Sequence, residues 1–431
     1  MQTVGVGVIG FGTVGAGVVE GLLHNGDLLA QRLGVHPVLK GVADLDIETD
    51  RGIGLEPELL TTDAEALIQR EDVDIVVELI GGTGVARKIV EQALKLGKPV
   101  VTANKKLLAE HGDSLYALSK EYHADLHFGA SVGGGIPIIR ALREGLAGNK
   151  ILAIQGILNG TCNYILTRME QEGLPFDTVL EDAQQLGFAE ADPSLDIDGF
   201  DTAHKAVILA SLAYGKPFDL QQVHVEGIRT LARTDVEQAA ALGYRIKLLA
   251  VIRREDDAVE IRVAPTLVPH SSLLASVNGV FNAVMVESDL ADHTMYYGRG
   301  AGRLPTASTV LADIADAARN LAMDAMMRVP AIPPTGESLH IKSIDDVQCR
   351  YYLRLLVDDQ PGVLAQITGL LAKRNISIES FIQKRPDAQG RASLVIVTHE
   401  ARESDMNAAL SMIAERPVVE APAIRLRIAS I

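Results

Sequence analysis

Two lysines and a run of carboxylates are the residues best placed to do chemistry. Lys205 closes a stretch that holds Glu190, Asp192, Asp196, Asp198 and Asp201. Asp201 and Lys205 are four residues apart, so on a helix they share one face. Lys105 ends the run VVTANK, where an apolar strand gives way to polar residues, and in open parallel sheets ligands gather at the carboxyl ends of strands. A lysine withdrawn from water loses basicity and can exchange a proton with a substrate. This suits oxidation of an alcohol, in which a cofactor takes the hydride and the protein must take the hydroxyl proton. An isolated lysine is usually a solvated surface charge; these two stand out by the residues around them. The carboxylates beside Lys205 fit an ammonium-bearing substrate. They do not fit calcium, because aligning Gly199 with the glycine of an EF-hand loop puts Lys205 where a bidentate glutamate is required. Cys162, in NGTCNYIL, is a candidate thioester-forming nucleophile of the aldehyde-dehydrogenase kind. No histidine lies near it in sequence to activate it, so it reads as a packed structural cysteine.

Hydride chemistry needs a cofactor site, and Gly10-Phe11-Gly12-Thr13-Val14-Gly15 fits G-x-G-x-x-G. Among 39 glycines the pattern alone is weak; its context is stronger. It follows the apolar run Val4–Ile9 and opens a helical pattern of Val14, Val18, Val19, Leu22 and Leu23. Gly10 is expected to make the tight turn. Gly12 would admit a pyrophosphate to the backbone, and Gly15 would let the helix pack closely on its strand. The second strand ends at Asp44, which can accept from a ribose 2′-hydroxyl and so favours NAD. Asp44 lies further from the glycines than the usual spacing of about 20 residues, and nearby Arg51 would favour NADP.

These groups must be positioned by a larger frame. Apolar runs at Val38–Ala43, Asp74–Ile80 and Pro99–Ala103 alternate with helical patterns, which predicts a parallel sheet covered on both faces over residues 1–134. A mixed α+β domain is expected over 135–304, with 305–325 returning to the first domain. Residues 326–348, holding Pro330, Pro333, Pro334 and Gly336, read as a linker. Residues 349–431 then form a small domain, with strands at Tyr351–Val357, Ser377–Gln383 and Leu394–Thr398 and a helix at Gly362–Arg374.

Composition bounds the function. The 431 residues are 47% hydrophobic, enough for several packed cores, and carry a formal net charge of -16. So acidic a chain repels phosphate backbones, which argues against nucleic-acid binding. The apolar runs are far shorter than the ~18 residues of a membrane span. Two cysteines exclude a disulfide framework, and no signal peptide is read at the N-terminus, so a cytoplasmic location is expected.

Several motifs in order carry a family resemblance: GFGTVG at Gly10, VVELIGG at Val76, VTANKK at Val101, ASVGGGIPI at Ala130, NGTCNYIL at Asn159, the stretch Gly187–Lys205, and GRGAGRLPTAS at Gly298. The chain resembles bacterial homoserine dehydrogenases over essentially its full length. The resemblance implies a Rossmann-type domain, a mixed catalytic and dimerisation domain, and reversible NAD(P)-dependent interconversion of L-homoserine and L-aspartate 4-semialdehyde in threonine and methionine biosynthesis. It makes Lys205 the proton-transferring lysine and Lys105 a second lysine near cofactor and substrate. Glu190 and Asp201 match homoserine-binding positions, with Asp196 close by. Phe11, Thr13 and Val14 fall in the cofactor loop, and Gly187 and Gly302 match further cofactor contacts. The family commonly binds a monovalent cation such as Na⁺ through a glutamate that is Gly129 here; the carbonyls of Val132, Gly134 and Ile136 remain, so weaker binding is expected.

The C-terminal region resembles a ferredoxin-like ACT domain, through DDQPGVL at Asp358 and NISI at Asn375. Such domains often pair and bind an amino acid, which here implies L-threonine as effector, in a homodimer or homotetramer. A module that has lost its ligand, and a non-enzymatic nucleotide and amino-acid sensor, are the alternatives. The sensor gives no reason for Lys105, Lys205 and the acidic cluster.

Overall fold

The computed structural model describes residues 1–431 except 334, 335, 337, 384 and 431; Pro334 of the expected linker thus lies outside the described residues. In chain order the first stretch is β1 (Gln2–Ile9), α1 (Thr13–Leu33), β2 (Val35–Ala43), β3 (Leu60–Thr61), α2 (Ala64–Gln69), β4 (Ile75–Glu78), α3 (Val85–Lys95), β5 (Val100–Thr102), α4 (Lys105–Glu121) and β6 (Leu126–His127). The middle stretch continues with α5 (Ile138–Arg140), β7 (Ile151–Ile157), α6 (Gly160–Glu172), α7 (Phe176–Gln185), α8 (Ser194–Ile197), α9 (Phe200–Tyr214), β8 (His224–Val225), α10 (Arg233–Ala241), β9 (Tyr244–Glu255), β10 (Ala258–Pro269), β11 (Phe281–Ser288), β12 (Asp292–Arg299) and α11 (Arg303–Ala322). The last comprises β13 (His340–Ile341), β14 (Gln348–Asp358), α12 (Val363–Ala372), β15 (Ile378–Gln383), β16 (Arg391–Thr398), β17 (Ala401–Arg402), α13 (Glu403–Ala414) and β18 (Ile424–Ile428).

The chain forms two compact units. The first comprises residues 1–160, 201–221 and 280–338. Its six-stranded sheet runs β3-β2-β1-β4-β5-β6, all parallel, so every strand end that can hold a ligand points one way. The inner strands read as continuous apolar runs because both faces are covered: Val6, Val8, Ile75 and Val77 are fully buried. Helix α11 lies along α1, with Val310, Ile314 and Ala317 in the same core as Val18 and Val19. The same unit holds an antiparallel sheet in the order β12-β11-β7.

The second unit comprises residues 161–200, 222–279 and 339–431. Its frame is the hairpin of β9 and β10, paired along twelve residues on each strand. From Gln348 the chain gives strand, helix, two strands, the two-residue β17, helix and strand; its four longer strands are ordered β18-β14-β16-β15 and antiparallel throughout, the ferredoxin-like arrangement expected of an ACT domain. Leu353, Leu355, Ile367, Leu371, Leu394, Ile396, Met406 and Ile413 form its core. The segment read as a linker also supplies β13, which pairs in parallel with β10. Strand β18 does the same, Thr266 opposite Arg427, which extends one sheet across the hairpin and the C-terminal strands.

Candidate active site

The glycine loop has the geometry a dinucleotide requires. Gly10 has φ of 101°, and a Cβ there would meet the Leu79 backbone at 2.7 Å. Gly12 caps α1, and a Cβ at that position would enter open space, so nothing blocks approach to the helix N-terminus. A Cβ on Gly15 would lie 1.9 Å from the Gly10 carbonyl oxygen, so only glycine lets α1 begin where it does. Phe11, Thr13 and Val14 line this turn, Phe11 buried and Thr13 exposed. The loop is tied to the end of β2: the Phe11 N–H donates to Asp44 Oδ2 at 2.5 Å, Arg51 Nε donates to the Phe11 carbonyl at 2.6 Å, and the guanidinium lies 5.0 Å above the Phe11 ring. Both the acidic and the basic residue weighed for cofactor choice therefore flank the same loop. The residues present fit a dinucleotide, whose nicotinamide would supply the hydride acceptor or donor.

Three charged side chains converge in the first unit. Lys105 opens α4 directly after β5, and Asn104 caps that helix, its side chain accepting from the Leu107 N–H at 3.1 Å. Lys205 projects from α9 on the same face as Asp201. The Lys105 ammonium lies 2.6 Å from one Asp201 oxygen and the Lys205 ammonium 2.7 Å from the other. Lys205 also donates to the Leu158 carbonyl at 2.6 Å, and Asn159 Nδ2 donates to Asp201 at 2.8 Å. Asp201 and Lys205 are 2% and 8% exposed, whereas the Lys105 side chain keeps 35%, so one end of the array faces solvent. Burial opposes the Asp201 charge, yet the ammonium groups of Lys205 and Lys105 prevail and hold its carboxyl well below the ordinary carboxylate range.

Sequence reading assigned no role to Glu78, Thr102, Asn104 or Asn159. Glu78 and Thr102 are register partners on β4 and β5, and the Thr102 hydroxyl donates to Glu78 at 2.6 Å. The other Glu78 oxygen accepts from the Ile80 and Gly81 N–H groups, and Asn104 Nδ2 donates to the Gly82 carbonyl. Burial pushes the Glu78 carboxyl up. This chain of bonds fixes the strand ends on which Lys105 sits. The signal in the sequence was the polar residue closing each of two successive apolar runs.

Gly187, Glu190 and Asp196 lie in the second unit. Gly187 takes a positive φ after α7, Glu190 is exposed, and Asp196 is half-buried in α8. Cys162 is fully buried, and its thiol donates to the Asp196 carbonyl at 3.2 Å. Gly302, with φ of 123°, caps α11 in the first unit.

The Gly134 carbonyl accepts from the Thr309 hydroxyl at 2.7 Å and the Ile136 carbonyl from the Ile138 N–H at 2.8 Å. Position 129 is filled from elsewhere. Asp313 on α11 accepts from the Gly129 N–H at 2.7 Å, and a Cβ on Gly129 would lie 2.8 Å from its carboxylate. Among the described residues no group of three or more His, Cys, Asp and Glu side chains is arranged to hold a metal. Two of the three expected carbonyls are thus hydrogen-bonded within the protein, and the carboxylate beside position 129 comes from Asp313 on α11 instead of from residue 129.

A dinucleotide turn at the carboxyl ends of a parallel sheet, beside two lysines coupled through one buried carboxylate, defines an NAD(P)-dependent oxidoreductase. The comparisons with known proteins fix the family. A profile described as "Homoserine dehydrogenase, NAD binding domain" matches residues 10–129, one described as "Homoserine dehydrogenase" matches 137–315, and one described as "ACT domain" matches 351–415. A homoserine dehydrogenase of Neisseria gonorrhoeae is 45% identical, with 100% of each chain covered. The crystal structure of a homoserine dehydrogenase from Thiobacillus denitrificans superposes with a TM-score of 0.94 at 42% identity, covering 100% of this chain and 99% of the other. A hyperthermophilic archaeal homoserine dehydrogenase in complex with NADPH matches at a TM-score of 0.63 and 30% identity, over 73% of this chain and 98% of the other. The chain belongs to the homoserine dehydrogenase family. Among the described residues no helix is long and apolar enough to cross a membrane.

Proposed function

We propose that this enzyme interconverts L-homoserine and L-aspartate 4-semialdehyde in threonine and methionine biosynthesis, with Lys205 carrying the proton. The observation behind this reading is the single Asp201 carboxylate shared by Lys105 and Lys205. In semialdehyde reduction the Lys205 ammonium, held charged by Asp201, donates its proton to the developing alkoxide. In homoserine oxidation its neutral form accepts the hydroxyl proton. Lys105, at the exposed end of the array, orients the reacting oxygen and lies near the cofactor. Glu190, Asp196 and Asp201 are the homoserine-binding residues of this reading. Gly10, Phe11, Gly12, Thr13, Val14 and Gly15 are the cofactor-binding residues of the glycine loop, and Gly187 and Gly302 are assigned cofactor roles by the family resemblance. Monovalent-cation binding through Val132, Gly134 and Ile136 is weak or absent. The protein works in the cytoplasm as a homodimer or homotetramer, and L-threonine inhibits it through the ACT domain.

Initial rates of L-homoserine oxidation with NAD and with NADP test the reaction. Turnover with either supports it, and none with both cofactors refutes it. Asp44, a fixed carboxylate at the glycine loop, repels a 2′-phosphate, so NAD is the expected preference. Asp44→Ser should move kcat/KM about tenfold toward NADP, as removal of one repulsive contact would; an unchanged ratio means Asp44 does not face the ribose. Adding L-threonine to the same assay should lower the rate in the full chain. A rate that L-threonine leaves untouched would mark the ACT domain as an assembly module without that ligand.

A further inference from the structure

Residues 225–229 form the seat on which the Asp196 loop rests. The Ile228 N–H donates to the Ile197 carbonyl at 2.8 Å. Arg229 grips Asp198 with two bonds, at 2.9 and 3.0 Å, and reaches Ser194 at 3.3 Å. A Cβ on Gly227 would lie 2.3 Å from the Ile197 carbonyl oxygen, so the two backbones touch there. Ile197 and Ile228 are fully buried. The seated loop carries Asp196 and runs straight into α9, which bears Asp201 and Lys205.

The seat is itself held from the C-terminal strands. Arg427 on β18 is completely buried. It donates to Glu226 at 2.9 and 3.0 Å and to Glu403 on α13 at 2.9 and 2.7 Å. Arg425 adds a bond to Glu226 Oε1 at 2.9 Å and pairs with Glu403 at 2.5 Å, and His224 Nε2 lies 2.8 Å from Glu226 Oε1. Glu403 is pinned in turn by the Tyr351 hydroxyl at 2.7 Å. Fork-shaped guanidinium–carboxylate pairs hold both direction and distance, which single lysine pairs do not. Glu226 is thus the one side chain of the seat gripped by two arginines of β18.

We propose that Glu226 is a positioning residue for the homoserine-binding loop, and that its grip by Arg425 and Arg427 is the physical route by which the C-terminal domain acts on substrate affinity. This rests on the functional reading above for the identity of the substrate. Glu226 touches no substrate; it fixes residues 225–229, which fix Ser194–Gly199. Loosening the grip frees the loop and weakens homoserine binding without altering the Lys105–Asp201–Lys205 array.

The test uses the full chain with Glu226→Gln, which keeps the shape and removes the charge. The KM for L-homoserine should rise about tenfold, the size expected when one partner of a charge-assisted pair is neutralised. The kcat should stay within about twofold, the KM for the cofactor should not move, and amide exchange across residues 194–200 should speed up. A folded variant with unchanged homoserine KM and unchanged exchange overturns the proposal, as does a loss confined to kcat. If Glu226→Gln fails to fold, Arg425→Gln decides: it removes one arginine from Glu226 and its ion pair with Glu403, but leaves the buried Arg427 paired with both carboxylates; the same two readouts, shifted in the same direction, are required of it. Should the unaltered enzyme not turn over homoserine, the substrate reading fails, and the exchange measurement alone still tells whether Glu226 holds the loop.

Discussion

Replacing Lys205 by methionine is expected to lower kcat for L-homoserine oxidation about 10³-fold, within the range a general acid or base contributes, and to leave the cofactor dissociation constant unchanged. Methionine preserves most of the volume, and Asp201 keeps Lys105 at 2.6 Å and Asn159 at 2.8 Å, so the carboxylate is not stranded. The fold should therefore survive, and thermal unfolding is the control. A kcat within tenfold of the unaltered enzyme would remove Lys205 from the proton path and shift attention to Lys105.

The second large effect concerns Gly129. Placing there the glutamate that the family resemblance implies should destabilise the protein by about 3 kcal/mol or more, since it overfills a packed site and sets a second carboxylate against a buried first one. Asp313 already occupies that space, 2.8 Å from where the new Cβ would fall, and burial pushes its carboxyl up, a sign that further negative charge is unwelcome. Combining Gly129→Glu with Asp313→Ala should return most of the lost stability. It should also make activity more responsive to Na⁺ than in the unaltered enzyme, in which the expected response is slight. Denaturant unfolding of the two variants, with rates at varied Na⁺ at constant ionic strength, checks both statements. A stable Gly129→Glu single variant would show that Asp313 yields easily.

The parts of the structure that were legible in the sequence are those where local covalent geometry decides. Gly10, Gly12 and Gly15 have three different requirements, and the motif encodes all three. Asp201 and Lys205 could be paired because helical spacing puts them on one face. Lys105 could be placed at a strand end but not against Asp201, because that contact joins residues 96 apart, 201 less 105. Gly129 was read as a missing carboxylate; that Asp313 supplies one from α11 depends on tertiary packing, which no spacing reveals. The link between Glu78 and Thr102 needed the register of β4 and β5. Periodicity revealed the first strand, helix and two further strands of the C-terminal region, but not α13 or β18. The pairing of β18 with β10 was not legible either, since a backbone ladder places few demands on side-chain type.

The pairing of β10 with β18 also bears on how the protein is made. Thr266 waits for Arg427, 161 residues further along, 427 less 266. Until that segment has been synthesised, one edge of β10 lacks its final partner and the carboxylates of Glu226 and Glu403 lack their buried arginine. Contacts of such long sequence separation form late and slowly, and an unpaired strand edge is an invitation to the wrong neighbour. The second unit should therefore complete its sheet only once the C-terminal strand has been made. Nascent chains arrested before residue 424 should rely on chaperones and be open to protease across the β9–β10 hairpin, while the parallel sheet of the first unit, built from residues 2–127, is already closed.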